Sequence, residues 1–146
     1  APADRQLVFK LHPLESGYHM WGLRILRMAR KYGVEDRINI IRGGDLHQLL
    51  LRAEGVVLVN STVGLHALRL GIPVCALGEA IYNVPGLIHD GGLDLFWTDP
   101  KQVDIVLYEA FERALTTIQV KGSFFDIKGR KRAIAEIATR LEAVKP

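Results

Sequence analysis

Cysteine is nearly absent from this sequence. With one such residue, Cys75, in 146, no intramolecular disulfide can form, so the fold must be held by burial of apolar surface. Cys75 lies inside the apolar run Pro73 to Leu77 and reads as a small buried hydrophobe. No apolar stretch is long enough to cross a bilayer, and none resembles a signal peptide. The Gly-x-Gly-x-x-Gly fingerprint and the Gly-x-x-x-x-Gly-Lys loop are both missing, which removes a conventional dinucleotide site and a P-loop ATPase. His12, His19, His47, His66 and His89 have no compact ligand spacing, and a lone cysteine cannot build a zinc knuckle, so no metal is expected. Charge of one sign is not massed either. The net charge is +3 and the basic residues are spread out, which gives no reason to expect nucleic acid. The one local cluster, Lys128, Arg130, Lys131 and Arg132, reads first as a solvated helix start and second as a contact for an anion.

What is present is a 49% hydrophobic, 24% charged chain of ordinary globular type, long enough for one domain with a real core. Leu7 to Leu11 is a β-rich run ending in His12-Pro13. A helix is expected from about His19 to Tyr32, with Trp21, Ile25, Met28, Ala29 and Tyr32 on its apolar face and Gly33 closing it. Ile38 to Ile41 reads as a second strand, Gly43-Gly44-Asp45 as a turn, and Leu46 to Ala53 as a short helix capped by Asp45. A third strand begins at Val56, and Pro73 to Leu77 makes a fourth. Strands alternating with helices across tight turns predict an α/β fold, a Rossmann-like parallel sheet with helices on both faces. Leu93 to Thr98 is expected as a final short strand. Long helices follow, over roughly Gln102 to Gln119 and Gly129 to Val144.

The chain is organised around Gly55 to Ala80. Val56 to Val59 gives way to Asn60, Ser61 and Thr62, and an apolar pattern at helical spacing follows until Gly71. That is strand, polar turn, helix, with Ser61 or Thr62 as N-cap. A turn at the carboxyl end of a parallel strand is where open α/β sheets receive anionic ligands, so Asn60, Ser61 and Thr62 are expected to hold a phosphate. His12 ends the first strand, and in one parallel sheet it shares that edge; Pro13 restricts its backbone, and a ring N–H could bond a phosphate oxygen. Ser61 as a hydrolase nucleophile is disfavoured, because Val59 and Val63 stand where Gly-x-Ser-x-Gly needs glycines. The loop from Gly78 to Gly92 is long for a compact domain and suggests function. In it, Glu79, Tyr82 and Asn83 either read a sugar or base, or Tyr82 anchors the loop by packing.

The string NSTVGLHALRLGIPVCALGEAIYNVPGL, with KLHP upstream and KGSFF downstream, resembles the capsule polysaccharide biosynthesis and export proteins of Gram-negative bacteria. These are similar to β-Kdo glycosyltransferases. The likeness runs from about Leu7 to Phe125. It implies the carboxyl-terminal, nucleotide-binding half of a two-domain GT-B enzyme that uses CMP-Kdo as donor substrate and needs no further cofactor. By that resemblance His12, Pro13, Ser61 and Thr62 contact the CMP, and Glu79 and Tyr82 match the family string. The chain begins with Ala1 and a strand starts almost at once. It is therefore expected to be a single domain over residues 1–146 cut from a longer chain with an N-terminal domain.

The resemblance also sets expectations for partners and place: a glycan or glycolipid acceptor, the capsule export machinery, and a cytoplasmic location peripheral to the inner membrane. Neither a convincing pair of carboxylates nor a strongly basic amphipathic helix of the kind that lies on lipid is read from the sequence. The expectation is that these 146 residues bind CMP weakly and transfer no sugar alone. The competing expectation is a non-catalytic α/β module that binds a nucleotide or phosphosugar, or docks in an export assembly.

Overall fold

The computed structural model describes residues 1–12, 14, 17–123 and 125–143. Two compact units divide the chain, residues 1–105 and 106–146. The first holds four strands, β1 (Leu7–Leu11), β2 (Ile38–Arg42), β3 (Val56–Leu58) and β4 (Val74–Ala76). Between and after them lie α1 (Trp21–Lys31), α2 (Leu46–Leu50), α3 (Val63–Arg69) and α4 (Gly92–Phe96). The second contains most of α5 (Ile105–Ile118) and all of α6 (Ile127–Ala143).

Among the described residues both strand pairings are parallel, as strands joined through helices require. The fold class is thus the α/β, Rossmann-like layout of small parallel sheets flanked by helices. The strands form two separate ladders, however, not the one sheet expected. β1 and β2 run in register from Leu7 opposite Ile38 to Leu11 opposite Arg42. β3 and β4 run from Val56 opposite Val74 to Leu58 opposite Ala76. Burial is concentrated around the second ladder, where Ala67, Leu68, Val74, Tyr82 and Leu87 are closed to solvent.

Two expectations are corrected. Leu93 to Thr98 is not a strand: α4 occupies Gly92 to Phe96. The i, i+3 pair Leu93 and Phe96 prevails, because Phe96 is buried and its ring takes the space that a Cβ on Gly55 would need, 2.7 Å away. The second correction concerns α1. Only Ala29 of its proposed apolar face is buried, while Trp21, Met28 and the following Tyr32 stand exposed. Two strands only about 5 Å apart make a ladder too narrow to cover the flank of a helix about 10 Å across. Arg24, Arg27, Arg30 and Lys31 share this helix with no acidic residue. It is therefore a basic amphipathic helix with exposed apolar side chains, which the sequence reading had not anticipated.

In the second unit, Arg140 ties α6 to the end of α5. Its guanidinium donates to the carbonyls of Ile118 and Gln119 and to the Glu136 carboxylate at 2.5, 2.8 and 2.6 Å. The last carbonyls of a helix have no partner within it, and here a cation supplies one. Lys128, Arg130, Lys131 and Arg132 lie along the exposed start of α6.

Candidate functional site

The β3–α3 turn is built from local hydrogen bonds. The Val63 N–H donates to Ser61 Oγ at 3.2 Å, and the Gly64 N–H to the Ser61 carbonyl at 3.0 Å. Ser61 therefore caps α3 by side chain, although Thr62 is the N-cap by position and makes no capping bond of its own. Asn60, Ser61 and Thr62 are all exposed. With seven residues, α3 brings little helix dipole to the turn, so the hydroxyls are its main polar resource.

Tyr82 arrives from the loop after β4 to fix this turn. Its phenol donates to the Ser61 carbonyl at 2.6 Å, and its ring is buried. A Cβ on Gly64 would lie 2.5 Å from that ring, so glycine is what lets Tyr82 lie on α3. Burial pushes the Tyr82 phenol up from its ordinary value, which keeps the donor protonated. Of the two roles open to Tyr82, the structure assigns it that of anchor. Glu79 sits exposed in the same loop, and Asn83 donates from its amide to the Gly78 carbonyl at 3.2 Å.

The loop closes through His89. Its Nδ1 accepts the Lys101 N–H at 3.2 Å, which leaves the proton on Nε2, 3.0 Å from the Gly92 carbonyl. The ring also meets Phe96 edge-on at 5.3 Å. Between this loop and the end of β4 lies a cleft of about 320 Å³, lined by Cys75, Leu77, Asn83, Pro85, Ile88 and Asp90 among others. Burial raises the Cys75 thiol above its ordinary value, so it stays protonated and unreactive.

His12 lies beyond β1, exposed. Its Nδ1 accepts the Leu14 N–H at 3.1 Å, so the neutral ring carries its proton on Nε2. Pro13, the other half of the expected pair, falls outside the described residues. Because β1 pairs with β2, and β3 with β4, His12 and the Ser61 turn belong to different ladders. No hydrogen bond joins them among the described residues. What does lie next to His12 is the end of β2, since Leu11 is opposite Arg42. There a second cleft, about 490 Å³, is lined by Ile41, Arg42, Gly43, Gly44, Gln48 and Arg52 among others. Sequence reasoning took Gly43-Gly44-Asp45 for a plain turn; an arginine and two glycines directly after a parallel strand were the available signal. Among the described residues, no group of three His, Cys, Asp or Glu is placed to hold a metal ion.

The α/β domain thus carries an exposed hydroxyl turn after β3 and an arginine-lined cleft after β2, at strand ends where open parallel sheets commonly receive ligands. Residues 1–125 match the family model described as capsule polysaccharide biosynthesis protein. The chain belongs to that family. It is similar to the capsule polysaccharide export protein KpsS of Escherichia coli, 34% identical over 111 residues, 76% of this chain and 28% of that one. It is also similar to the capsule polysaccharide modification protein LipB of Neisseria meningitidis serogroup A, 32% identical over 127 residues, 86% of this chain and 30% of that one. Protein FixF of Sinorhizobium fredii is 40% identical over 55 residues, 38% of this chain and 14% of that one. The chain thus spans less than a third of the length of these relatives. No solved structure gives a significant match.

Proposed function

We propose that this chain is the donor-binding domain of a CMP-Kdo-dependent glycosyltransferase of capsule polysaccharide biosynthesis, one half of a longer GT-B protein. The observation that carries this reading is the pinned turn. Its backbone is fixed by Tyr82 while the hydroxyls of Ser61 and Thr62 face solvent, so two donors are preorganised for a phosphate at little entropic cost. The reading also takes His12, exposed beyond β1 with its proton on Nε2, as a donor to the nucleotide from the other ladder, together with Pro13 next to it in sequence. Asn60 and Glu79 complete the exposed polar set, with Tyr82 as the residue that positions it.

The acceptor is a glycan or glycolipid, brought by the part of the protein outside this chain, and the capsule export machinery receives the product. Among the described residues Glu79 is exposed and Asp90 pairs with Lys101 at 4.0 Å. In this reading sugar transfer takes both halves of the protein. The domain works on the cytoplasmic side against the inner membrane, and α1 favours that placement: Arg24, Arg27 and Lys31 stand beside exposed Trp21 and Met28.

Titration of the chain with CMP, UMP, ADP and inorganic phosphate, followed by amide shifts, tests the donor reading. Preference for CMP, abolished in the Ser61→Ala, Thr62→Ala double variant and weakened in His12→Ala, is the expected result. Equal affinity for all four would replace it with a generic phosphate-binding module, and no binding by a folded chain would replace it with a docking role.

A further inference from the structure

The cleft after β2 is lined by none of the residues assigned so far to the donor. Arg42 is the last residue of β2, and Arg52 follows the α2 turn, so two guanidinium groups line one hollow of about 490 Å³. Both side chains are exposed, and neither is held by a carboxylate or carbonyl among the described residues. The single acidic residue in the lining, Asp45, is already engaged, its carboxylate accepting the N–H groups of His47 and Gln48 at 2.8 and 3.3 Å. The cleft therefore carries two free cations against one committed anion.

The backbone between them is shaped to leave room. Gly43 and Gly44 both have φ of 81°, a region that residues with side chains rarely adopt, and a Cβ on either would meet no atom within 4 Å. Here glycine is required by conformation, and the space above it is open for a ligand to approach the main chain. The register then places His12 at the same edge, one residue past the Leu11–Arg42 pair.

We propose that this cleft is an oxyanion site, in which Arg42 and Arg52 clamp a phosphate or carboxylate group and Gln48 adds an amide donor. Guanidinium forks match both groups in a bidentate fashion, and cations that lack protein partners keep their donors for a ligand. The inference deepens the donor reading, on which it rests for the identity of the ligand: a nucleotide-linked acidic sugar carries both a phosphate and a carboxylate. Of the two groups, each has its own probe.

The experiment is amide-resolved NMR titration of the chain with inorganic phosphate, CMP and free Kdo, repeated on Arg42→Ala, Arg52→Ala and Arg42→Lys variants. The exposed positions predict folded variants, which the unchanged remainder of each spectrum verifies. Shifts at Gly43, Gly44 and Gln48, with affinity lowered about tenfold per arginine removed, are expected. Arg42→Lys should recover only part of the loss, since lysine offers a point charge in place of a fork. Response to CMP and phosphate but not Kdo assigns the cleft to the phosphate; response to Kdo alone assigns it to the carboxylate. If CMP moves Ser61 and Thr62 while no probe moves Gly43 or Gly44, the cleft proposal is overturned and the donor reading stands. If the cleft responds while CMP leaves the turn unmoved, the donor reading fails and the oxyanion site survives. Silence at both places overturns both.

Discussion

The phenol of Tyr82 reaches across from the loop after β4 and donates to the carbonyl of Ser61 at 2.6 Å, so a buried ring controls an exposed turn. The contact is possible only because Gly64, on the first turn of α3, leaves the volume that the ring occupies. The turn is thus held at Ser61 by a residue some twenty positions away, and the side chains of Ser61 and Thr62 remain exposed.

Two substitutions separate the bond from the packing. Tyr82→Phe keeps the ring and loses the hydrogen bond, which should cost about 1 kcal/mol in urea unfolding. It should also speed hydrogen exchange at Val63 and Gly64. Gly64→Ala forces the ring away altogether and should cost more, about 1–3 kcal/mol. An equal effect of the two would show that the turn does not depend on how Tyr82 is seated.

His89 is a clamp with a defined tautomer. Replacing it with Leu strands the Lys101 N–H and the Gly92 carbonyl, each at a cost of about 1–3 kcal/mol if left unpaired. His89→Gln, which can still donate and accept, should lose less. Thermal unfolding of the two variants distinguishes a hydrogen-bonding role from simple filling of space beside Phe96.

Cys75 should be silent in the folded chain. Its thiol is buried and its pKa raised by desolvation, so a disulfide exchange reagent at pH 8 should label it slowly in buffer and fully in urea. Prompt labelling of the native protein would mean that the cleft beside β4 opens to the reagent.

Glu136 gives the second unit a pH dependence. The Lys121 N–H donates to its carboxylate at 2.8 Å and, with Arg140, holds its pKa below the ordinary range, outweighing the opposing effect of desolvation. A carboxylate with a depressed folded-state pKa stabilises fully above its unfolded value and loses that contribution as pH falls through the folded one. Stability should therefore decline on the acid side of the ordinary glutamate range, and Glu136→Gln should flatten that part of the curve. Melting temperatures of the two proteins across that range provide the comparison.

The α1 face should bind anionic lipid. Sedimentation with phosphatidylglycerol vesicles is expected, with little binding to phosphatidylcholine alone and release by salt. Reversing Arg24, Arg27 and Lys31 to Glu should weaken binding by at least about 1 kcal/mol per cation removed, and Trp21→Ala should weaken it without changing the salt slope. Equal binding to both lipids would show that charge plays no part.

Most elements were legible because their signals are local. Val56 to Leu58 ending at Asn60-Ser61-Thr62, and the apolar spacing through α3, mark a strand, turn and helix without reference to the rest of the chain. The same holds for α5 and α6, whose stripes fix their extents to within a few residues. Family membership was likewise carried by a contiguous string. At Leu93 to Thr98 the sequence misled, since only Gly55 facing Phe96 decides for the helix.

The sequence by itself thus determined the parallel α/β class, the family and the polar turn after β3. Tertiary structure alone decided that the strands form two ladders, that His12 lies beside Arg42, and that Tyr82 is an anchor. It also decided that α1 keeps its tryptophan in solvent. The physical reason is range: periodicity and caps act over one or two turns of chain, whereas ladder partners, close approaches at glycine and the coverage of a helix face depend on which distant segments pack together.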